Sequence, residues 1–309
     1  MGLMDFIRRR FGGGSGRSSL PAPDVGMDEK HLAGRLGVLP GKLELLNPTY
    51  KVFEIPKRGG GRRKIEAPAP MLKEMQNLIL RKLLRRLKAH PCAYGFERGR
   101  SIAGNAAVHA GKAVVVRLDL KDFFPSISAD RVRRYFRRIG WNGPAAELLV
   151  KVCTHEGRLP QGAPTSPRLS NLVNYSLDAG LLSAAKKYRA DYTRYADDIT
   201  FSFAIDDPGR IRSLIGSAKA VLSGEGYRIN LHKKLRVARS HQRQKVTGLV
   251  VNSGVKLPRA TRRRLRAIRH RLAAGKQATL TAAQLAGWTA FEAMIAAHDD
   301  PAAAGGQAS

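Results

Sequence analysis

Tyr195-Ala196-Asp197-Asp198 sets two adjacent carboxylates between short apolar, β-prone runs at 192–195 and 199–203. The pattern predicts a β-hairpin with Asp197 and Asp198 at its turn. Adjacent carboxylates on an exposed turn repel each other, and a divalent cation would relieve the repulsion. Hard cations such as Mg²⁺ take oxygen ligands, usually one or two carboxylates completed by phosphates and water. Asp is also an ordinary turn residue, so this reading needs a third carboxylate. Asp119 supplies it. It closes the apolar run 114–120, which predicts a buried strand. The pleat puts Val115, Arg117 and Asp119 on one face, and Val114, Val116, Leu118 and Leu120 on the other. Alone, an Asp at a strand end is most often a turn or cap residue. With the hairpin it completes the ligand set of a two-metal phosphoryl-transfer site. In such sites two ions roughly 3.5–4 Å apart clamp the attacking and leaving oxygens.

These carboxylates need elements to hold them. Between them lies Leu159-Pro160-Gln161-Gly162-Ala163-Pro164-Thr165-Ser166-Pro167, a rigid turn into a helix. That helix is expected to start near Pro167, with Ser166 as its cap and Leu169, Leu172, Val173 and Leu177 inward. Upstream, Asp28 is placed to cap a helix carrying Leu32 and Leu36. Tyr50 and Val52 alternate with Lys51 in an extended run closed by Pro56. Residues 57–64 read as a flexible basic hairpin tip, and 65–67 as the return strand. Leu72, Met75, Ile79, Leu83 and Leu87 step by three and four, which predicts an amphipathic helix over 71–88 with a basic outer face. Past Gly254, 258–273 reads as a strongly basic helix with Leu265, Ile268 and Leu272 inward. A second helix, 281–297, packs Leu285, Trp288, Phe291 and Ile295.

The chain carries 55 Lys and Arg against 24 Asp and Glu, a formal net charge of +31 over 309 residues. An excess of this size favours a polyanion partner, nucleic acid first. The basic residues run along the whole chain rather than one amphipathic segment, so no membrane partner is expected. Cys92 and Cys153 stand far apart, which implies neither a zinc site nor a disulfide framework, and a reducing cytoplasmic setting fits. No apolar run reaches transmembrane length. No apolar stretch follows Arg8, Arg9 and Arg10, which argues against a signal peptide. Phe6 stands where a myristoylation signal has Ser or Thr.

In chain order come the basic hairpin, the Asp119 strand, the Gln161-Gly162 turn with Ser166-Pro167, Tyr195 to Asp198, and then Gly226-Tyr227-Arg228-Ile229-Asn230-Leu231-His232-Lys233. This order resembles the consecutive motifs of reverse transcriptases, over about residues 28–275. The resemblance implies an α+β right-hand polymerase fold, with an antiparallel palm backed by helices, fingers, and a helical thumb. Its expected divisions are a flexible basic segment at 1–26, an N-terminal helix and fingers at 27–112, and a palm at 113–127 and 166–252. A fingers/palm insertion at 128–165, a thumb at 253–298 and a disordered tail at 299–309 complete it. It marks Asp119, Asp197 and Asp198 as ligands of two Mg²⁺ ions, with Mn²⁺ able to substitute and dNTPs as substrates. Phe124 matches the aromatic gate that excludes a ribonucleotide 2′-hydroxyl. Leu120 and Gln161 fall where the incoming nucleotide packs. Arg62, Arg63 and Lys64 sit where fingers residues grip the triphosphate, without a choice among them. Lys233 matches the lysine that protonates pyrophosphate. Lys234 stands where the family more often has Thr or Ser, which leaves Lys233 or Lys234 open.

Two more elements resemble retron reverse transcriptases in particular. Asn105 and His109 are spaced to share a helical face and read RNA together, and Val246-Thr247-Gly248, also expected to contact RNA, follows the lysine motif in register. The stretch after Gly254 leaves little room for the maturase region of group II intron enzymes. Retron resemblance implies binding of a cognate structured non-coding RNA and priming from a guanosine 2′-hydroxyl. The product is msDNA, a branched RNA–DNA molecule. It also implies an effector protein encoded nearby, a role in anti-phage defence, and template trimming by cellular RNase H. Arg262, Arg266 and Arg269 on the basic helix would track the hybrid duplex through its backbone. The alternatives are another bacterial reverse transcriptase, group-II-like or of the abortive-infection type, and a catalytically retired RNA-binding module.

Overall fold

The computed structural model describes residues 26–57, 60–230 and 235–298. The expected basic segment up to residue 25, Arg58 and Gly59 of the hairpin tip, Lys233 and Lys234, and the expected tail 299–309 lie outside the described residues.

Asp28 caps the first helix, α1 (Glu29–Leu36), by accepting from the His31 amide, and Gly37 ends it in the left-handed conformation. The antiparallel hairpin β1 (Tyr50–Pro56) and β2 (Arg62–Pro68) follows. The return strand is longer than expected, and it takes Arg62, Arg63 and Lys64 into the ladder rather than the tip. Helix α2 (Pro70–Ile79) passes into a π-helical turn, Leu80–Leu84. The expected helix over 71–88 is therefore shorter. The apolar face stays buried through the wider turn, with Leu83 and Leu84 both in the core.

A short helix, α3 (Ile102–Ala107), leads to β3 (Val114–Asp119). Two helices that periodicity did not single out fill the 128–165 insertion, α4 (Ala129–Arg138) and α5 (Gly143–Cys153). Ser128 and Asn142 cap them through hydrogen bonds to the Arg131 and Ala145 amides. Helix α6 (Ser166–Val173) begins at Ser166 itself, and the cap position falls on Thr165, without a side-chain cap bond. Helix α7 (Tyr175–Lys187) precedes the hairpin β4 (Ala190–Tyr195) and β5 (Asp198–Phe203), and α8 (Pro208–Gly224) follows it.

The central sheet is antiparallel, in the order β4-β5-β3-β6, with β6 spanning Arg236–Arg239. Its register pairs Asp119 with Asp198, Arg117 with Thr200 and Val115 with Ser202. One face therefore carries Val114, Val116, Leu118, Ile199, Phe201 and Phe203, all buried in the main core against the helices. The other carries Val115, Arg117, Asp119, Asp198, Thr200 and Ser202. Val115 belongs to a second core with Ala103, Ala106, Val246, Leu265 and Ile295. That core joins α3, the small hairpin β7 (Lys245–Val246) and β8 (Leu249–Val250), and the C-terminal helices α9 (Arg259–Ala273) and α10 (Ala282–Ala296). It covers one end of the second sheet face and leaves the carboxylate end open. No helix among the described residues is long and apolar enough to cross a membrane.

The loop before α6 docks on the first hairpin at Gly162. The Glu66 amide donates to the Gln161 carbonyl at 2.9 Å. Gly162 has φ +139°, and a Cβ there would stand 2.7 Å from the Glu66 carbonyl oxygen. Gly162→Ala is expected to destabilise the protein by about 1–3 kcal/mol through strain and that contact. Urea unfolding would show it as a lower midpoint, and an unchanged midpoint would remove Gly162 as the docking point.

Candidate active site

Asp119 and Asp198 face each other across adjacent antiparallel strands. Directly opposed residues place their Cβ atoms about 4.5–5.5 Å apart. The turn residues are Ala196 and Asp197, so Asp198 opens the return strand instead of sharing the turn as expected. Ala196 has φ 56°. The Leu120 amide donates to the Asp197 carbonyl at 3.0 Å, which locks the turn against the end of β3. All three carboxylates are half-buried.

Two neighbours went unnoticed as functional in the sequence. The Arg117 guanidinium donates to Asp198 Oδ1 at 3.1 Å. Asn230 donates from Nδ2 to Asp119 Oδ1 at 3.0 Å, and from its amide to the Asp119 carbonyl at 2.8 Å. Asn230 lies in a stretch that pairs with 119–121, where the Lys121 amide donates to the Arg228 carbonyl. The signal for Arg117 was its place on the Asp119 face of the strand. The three carboxylates offer the hard oxygen donors that a divalent cation takes, and Asp198 is already paired with Arg117.

A buried ion pair positions the turn. Arg194 and Asp178 are both 0% exposed. Arg194 Nε and Nη2 each donate to an Asp178 oxygen at 2.7 Å. Its Nη1 donates to Asn171 Oδ1 at 3.1 Å and to the Ala196 carbonyl at 3.2 Å. The Tyr192 hydroxyl also donates to Asp178, at 2.7 Å. Burial works against the Arg194 charge, but the Asp178 carboxylate and its hydrogen bonds outweigh that and raise its pKa. The guanidinium lies 5.7 Å from the centre of the Phe123 ring, so the same group bears on the loop that carries Phe124.

The description "Reverse transcriptase (RNA-dependent DNA polymerase)" fits the family whose model matches residues 55–251. The chain is 38% identical over 293 residues to the retron Mx65 reverse transcriptase of Myxococcus xanthus, covering 86% of this chain and 68% of that one. The retron Mx162 enzyme of Myxococcus xanthus is 39% identical over 259 residues, and the match covers 74% of this chain and 53% of that one. The retron Ec86 enzyme of Escherichia coli is 35% identical over 246 residues, with 78% and 75% covered. The chain belongs to the retron reverse transcriptases. Its enzyme class is RNA-directed DNA polymerase. Candida albicans telomerase resembles it in outline, with TM-score 0.49, 11% identity, and 75% and 51% of the two chains covered.

Within this reverse transcriptase the remaining expected residues scatter. Phe124 is half-buried, its ring 5.4 Å from that of Phe123. Leu120 is 2% exposed, so its side chain packs in the core and only its backbone borders the site. Gln161 is half-buried at the docking loop. Arg62 pairs with Glu54 at 3.2 Å on the surface. Arg63 is exposed, on the opposite face of β2 from its two neighbours. Lys64 joins an ion-pair network, 3.1 Å from Glu66 and 3.3 Å from Glu156. Arg158 meets the same two carboxylates at 3.4 and 2.5 Å. Glu66, His155 and Glu156 are a trio of ligand-type groups with donor atoms within 4.8 Å of one another. Lys64 and Arg158 pair with its two carboxylates in this structure.

The expected RNA contacts at Asn105 and His109 are corrected by burial. Asn105 is 1% and His109 0% exposed, and α3 ends at Ala107, so His109 lies in the turn beyond it. The His109 ring bonds Ser202 Oγ at 2.7 Å and Thr193 Oγ1 at 2.8 Å, on the carboxylate face of the β4–β5 hairpin but at its other end. Val246 is also buried. Thr247 and Gly248, with φ 47° and 90°, form a two-residue hairpin turn. Thr247 Oγ1 donates to the Ile102 carbonyl at 3.0 Å, so the two retron-like motifs touch each other as one support. On α9, Arg262 and Arg266 are exposed, whereas Arg269 pairs with Glu292 of α10.

Arg194→Met is expected to cost about 3–5 kcal/mol, because Asp178 is left charged and buried. Denaturant unfolding of Arg194→Met beside Arg194→Met/Asp178→Leu checks this, since the double variant should recover part of the loss. His109 is held neutral, its pKa pushed down to about 3 chiefly by burial. Unfolded His titrates near 6.5, so the stability its burial allows is full above that pH. It is lost as pH falls toward 3, at up to about 1.4 kcal/mol per pH unit. His109→Gln should flatten that slope between pH 6.5 and 5. Urea unfolding at pH 7.5 and 5.0 would measure it, and equal losses in variant and wild type would refute the assignment.

Proposed function

We propose that this chain is the reverse transcriptase of a retron, which binds one structured non-coding RNA and builds msDNA on it from a guanosine 2′-hydroxyl. The observation that carries the chemistry is the register pair of Asp119 and Asp198, with Asp197 in the turn between β4 and β5. Two Mg²⁺ ions, or Mn²⁺ in their place, would supply charge neutralisation at the reacting phosphate and a lowered pKa for the attacking hydroxyl.

The chain's own residues do the rest. Asn230 orients Asp119 through Oδ1, and Arg117 steadies Asp198. Phe124 presents a flat ring to the sugar and leaves no room for a 2′-oxygen. Gln161 packs beside the base at the foot of the fingers hairpin. Of the basic trio on β2, Arg63 carries no carboxylate partner among the described residues, which favours it for the triphosphate. Lys233 is the proposed proton donor to pyrophosphate, with Lys234 as the other choice.

In right-hand terms, 27–112 forms the N-terminal helix and fingers, 113–127 and 166–252 the palm, 128–165 the insertion and 253–298 the thumb. Arg262 and Arg266 on α9 are placed to meet duplex phosphates. The relatives' retron names support a cognate RNA and its msDNA product as partners. An effector protein encoded nearby, RNase H trimming, a cytoplasmic setting and anti-phage defence complete the proposal.

The purified protein with its co-purifying RNA, Mg²⁺ and dNTPs should make DNA. Asp197→Ala should lower the rate at least about 10²-fold, the scale of losing one preorganised charge stabiliser. Equal rates would discard the site. Sequencing the co-purified nucleic acid should find branched RNA–DNA, and unbranched product alone would replace the retron reading with another bacterial reverse transcriptase.

A further inference from the structure

Phe96 is a large apolar side chain left 44% exposed, at φ 64°. The left-handed region is unfavourable for a bulky residue and persists only where the surroundings impose it. Here they do. Residues 92–94 run beside β4, with the Arg194 amide donating to the Cys92 carbonyl and the Tyr94 amide to the Arg194 carbonyl, each at 2.8 Å. Gly95 then lies flush on the catalytic turn: a Cβ there would stand 2.7 Å from the Ala196 nitrogen. Asn171 Nδ2 donates to the Gly95 carbonyl at 2.6 Å and to Glu97 Oε1 at 2.8 Å. Arg168 completes the clamp by pairing with Glu97.

Both neighbours of Phe96 are thus pinned, and its ring is turned away from the core. Its aromatic contact is the Phe124 ring, 6.0 Å between centroids at 38°. The Phe124 ring also meets that of Phe123, at 5.4 Å between centroids and 57°. Glycine would suit φ 64° better, and a polar residue would suit the exposure better. A strained, exposed aromatic whose position is over-determined by the catalytic turn is a functional choice.

We propose that Phe96 is a positioning residue for sugar selection, buttressing the Phe124 ring from the open side so that it cannot swing away from a 2′-hydroxyl. The inference rests on the reading of Phe124 as the sugar gate. Phe123 supplies the fixed wall and Phe96 the outer stop. Without the outer stop, the Phe124 ring gains room to tilt, and a ribonucleotide fits. The chemistry at the carboxylates is untouched, so the effect falls on discrimination rather than on turnover of dNTPs.

The experiment uses the full-length protein with its co-purified RNA, and compares kcat/KM for dGTP and GTP in wild type, Phe96→Gly, Phe96→Tyr and Phe124→Ala. Phe96→Gly should keep or raise the Tm, keep kcat for dGTP, and relax discrimination roughly two- to tenfold, the range an aromatic pair contributes. Phe96→Tyr should keep it. Relaxed discrimination without loss of Tm is a result that a merely structural Phe96 would not give. If Phe124→Ala relaxes discrimination and Phe96→Gly does not, the buttress is overturned and the gate stands. If Phe124→Ala leaves discrimination unchanged, the gate fails and the buttress with it.

Discussion

The active site depends on one buried ion pair. Burying two charges costs several kcal/mol per ion, and their attraction offsets this only when geometry and hydrogen bonding are nearly complete. Arg194 and Asp178 meet that condition. The contact is bidentate, and the third nitrogen of the guanidinium serves Asn171 and the Ala196 carbonyl. The pair thereby joins α6, α7, β4 and the turn that carries Asp197. Asn171 extends the network to Gly95 and Glu97. Each member needs the others to be satisfied, so the turn has one arrangement rather than several. A hydrophobic core alone would pack these elements, but it would not fix the rotation of a two-residue turn.

The same sheet divides the molecule's chemistry. Its inner face lies in the main core, with Arg194 as a charge fully buried there. Its outer face is covered at one end by α3 and the C-terminal helices, and the carboxylates occupy the uncovered end. His109 closes the covered end by spanning β4 and β5 through Thr193 and Ser202. Along that face polarity therefore rises from Val115 through Arg117 to Asp119. In a chain of net charge +31 this small cluster of acids is a local exception.

Most of this frame was legible in the residues. The pleat of 114–120 predicted the face shared by Val115, Arg117 and Asp119, and Asp28 predicted its helix. The failures have particular causes. Asn105 and His109 carry the right spacing for a shared face, but sequence does not say whether a face meets solvent or a sheet. Here the partners are Ser202 and Thr193, more than eighty residues away. The π-helical turn escaped because leucines at 80, 83, 84 and 87 satisfy an α-helical period nearly as well. Arg194 escaped because an arginine in a strand flanked by tyrosines reads as a solvent-facing position. Only the long-range encounter with Asp178 makes it a core residue.

The first hairpin, β1 and β2, is held to this frame at one end. Val52, Phe53 and Ile55 stay exposed on β1, and a two-stranded hairpin is marginal by itself. Its attachment lies at its foot, where Gly162 meets Glu66 and where Lys64 and Arg158 bridge Glu66 and Glu156. Glu66 is nearly buried, with 3% of its side chain exposed, and it anchors the network. Glu156 is half exposed, and pairs of that kind are worth about 0–1 kcal/mol. Loss of the Glu156 contacts would therefore cost little, while Glu66 keeps the foot in place.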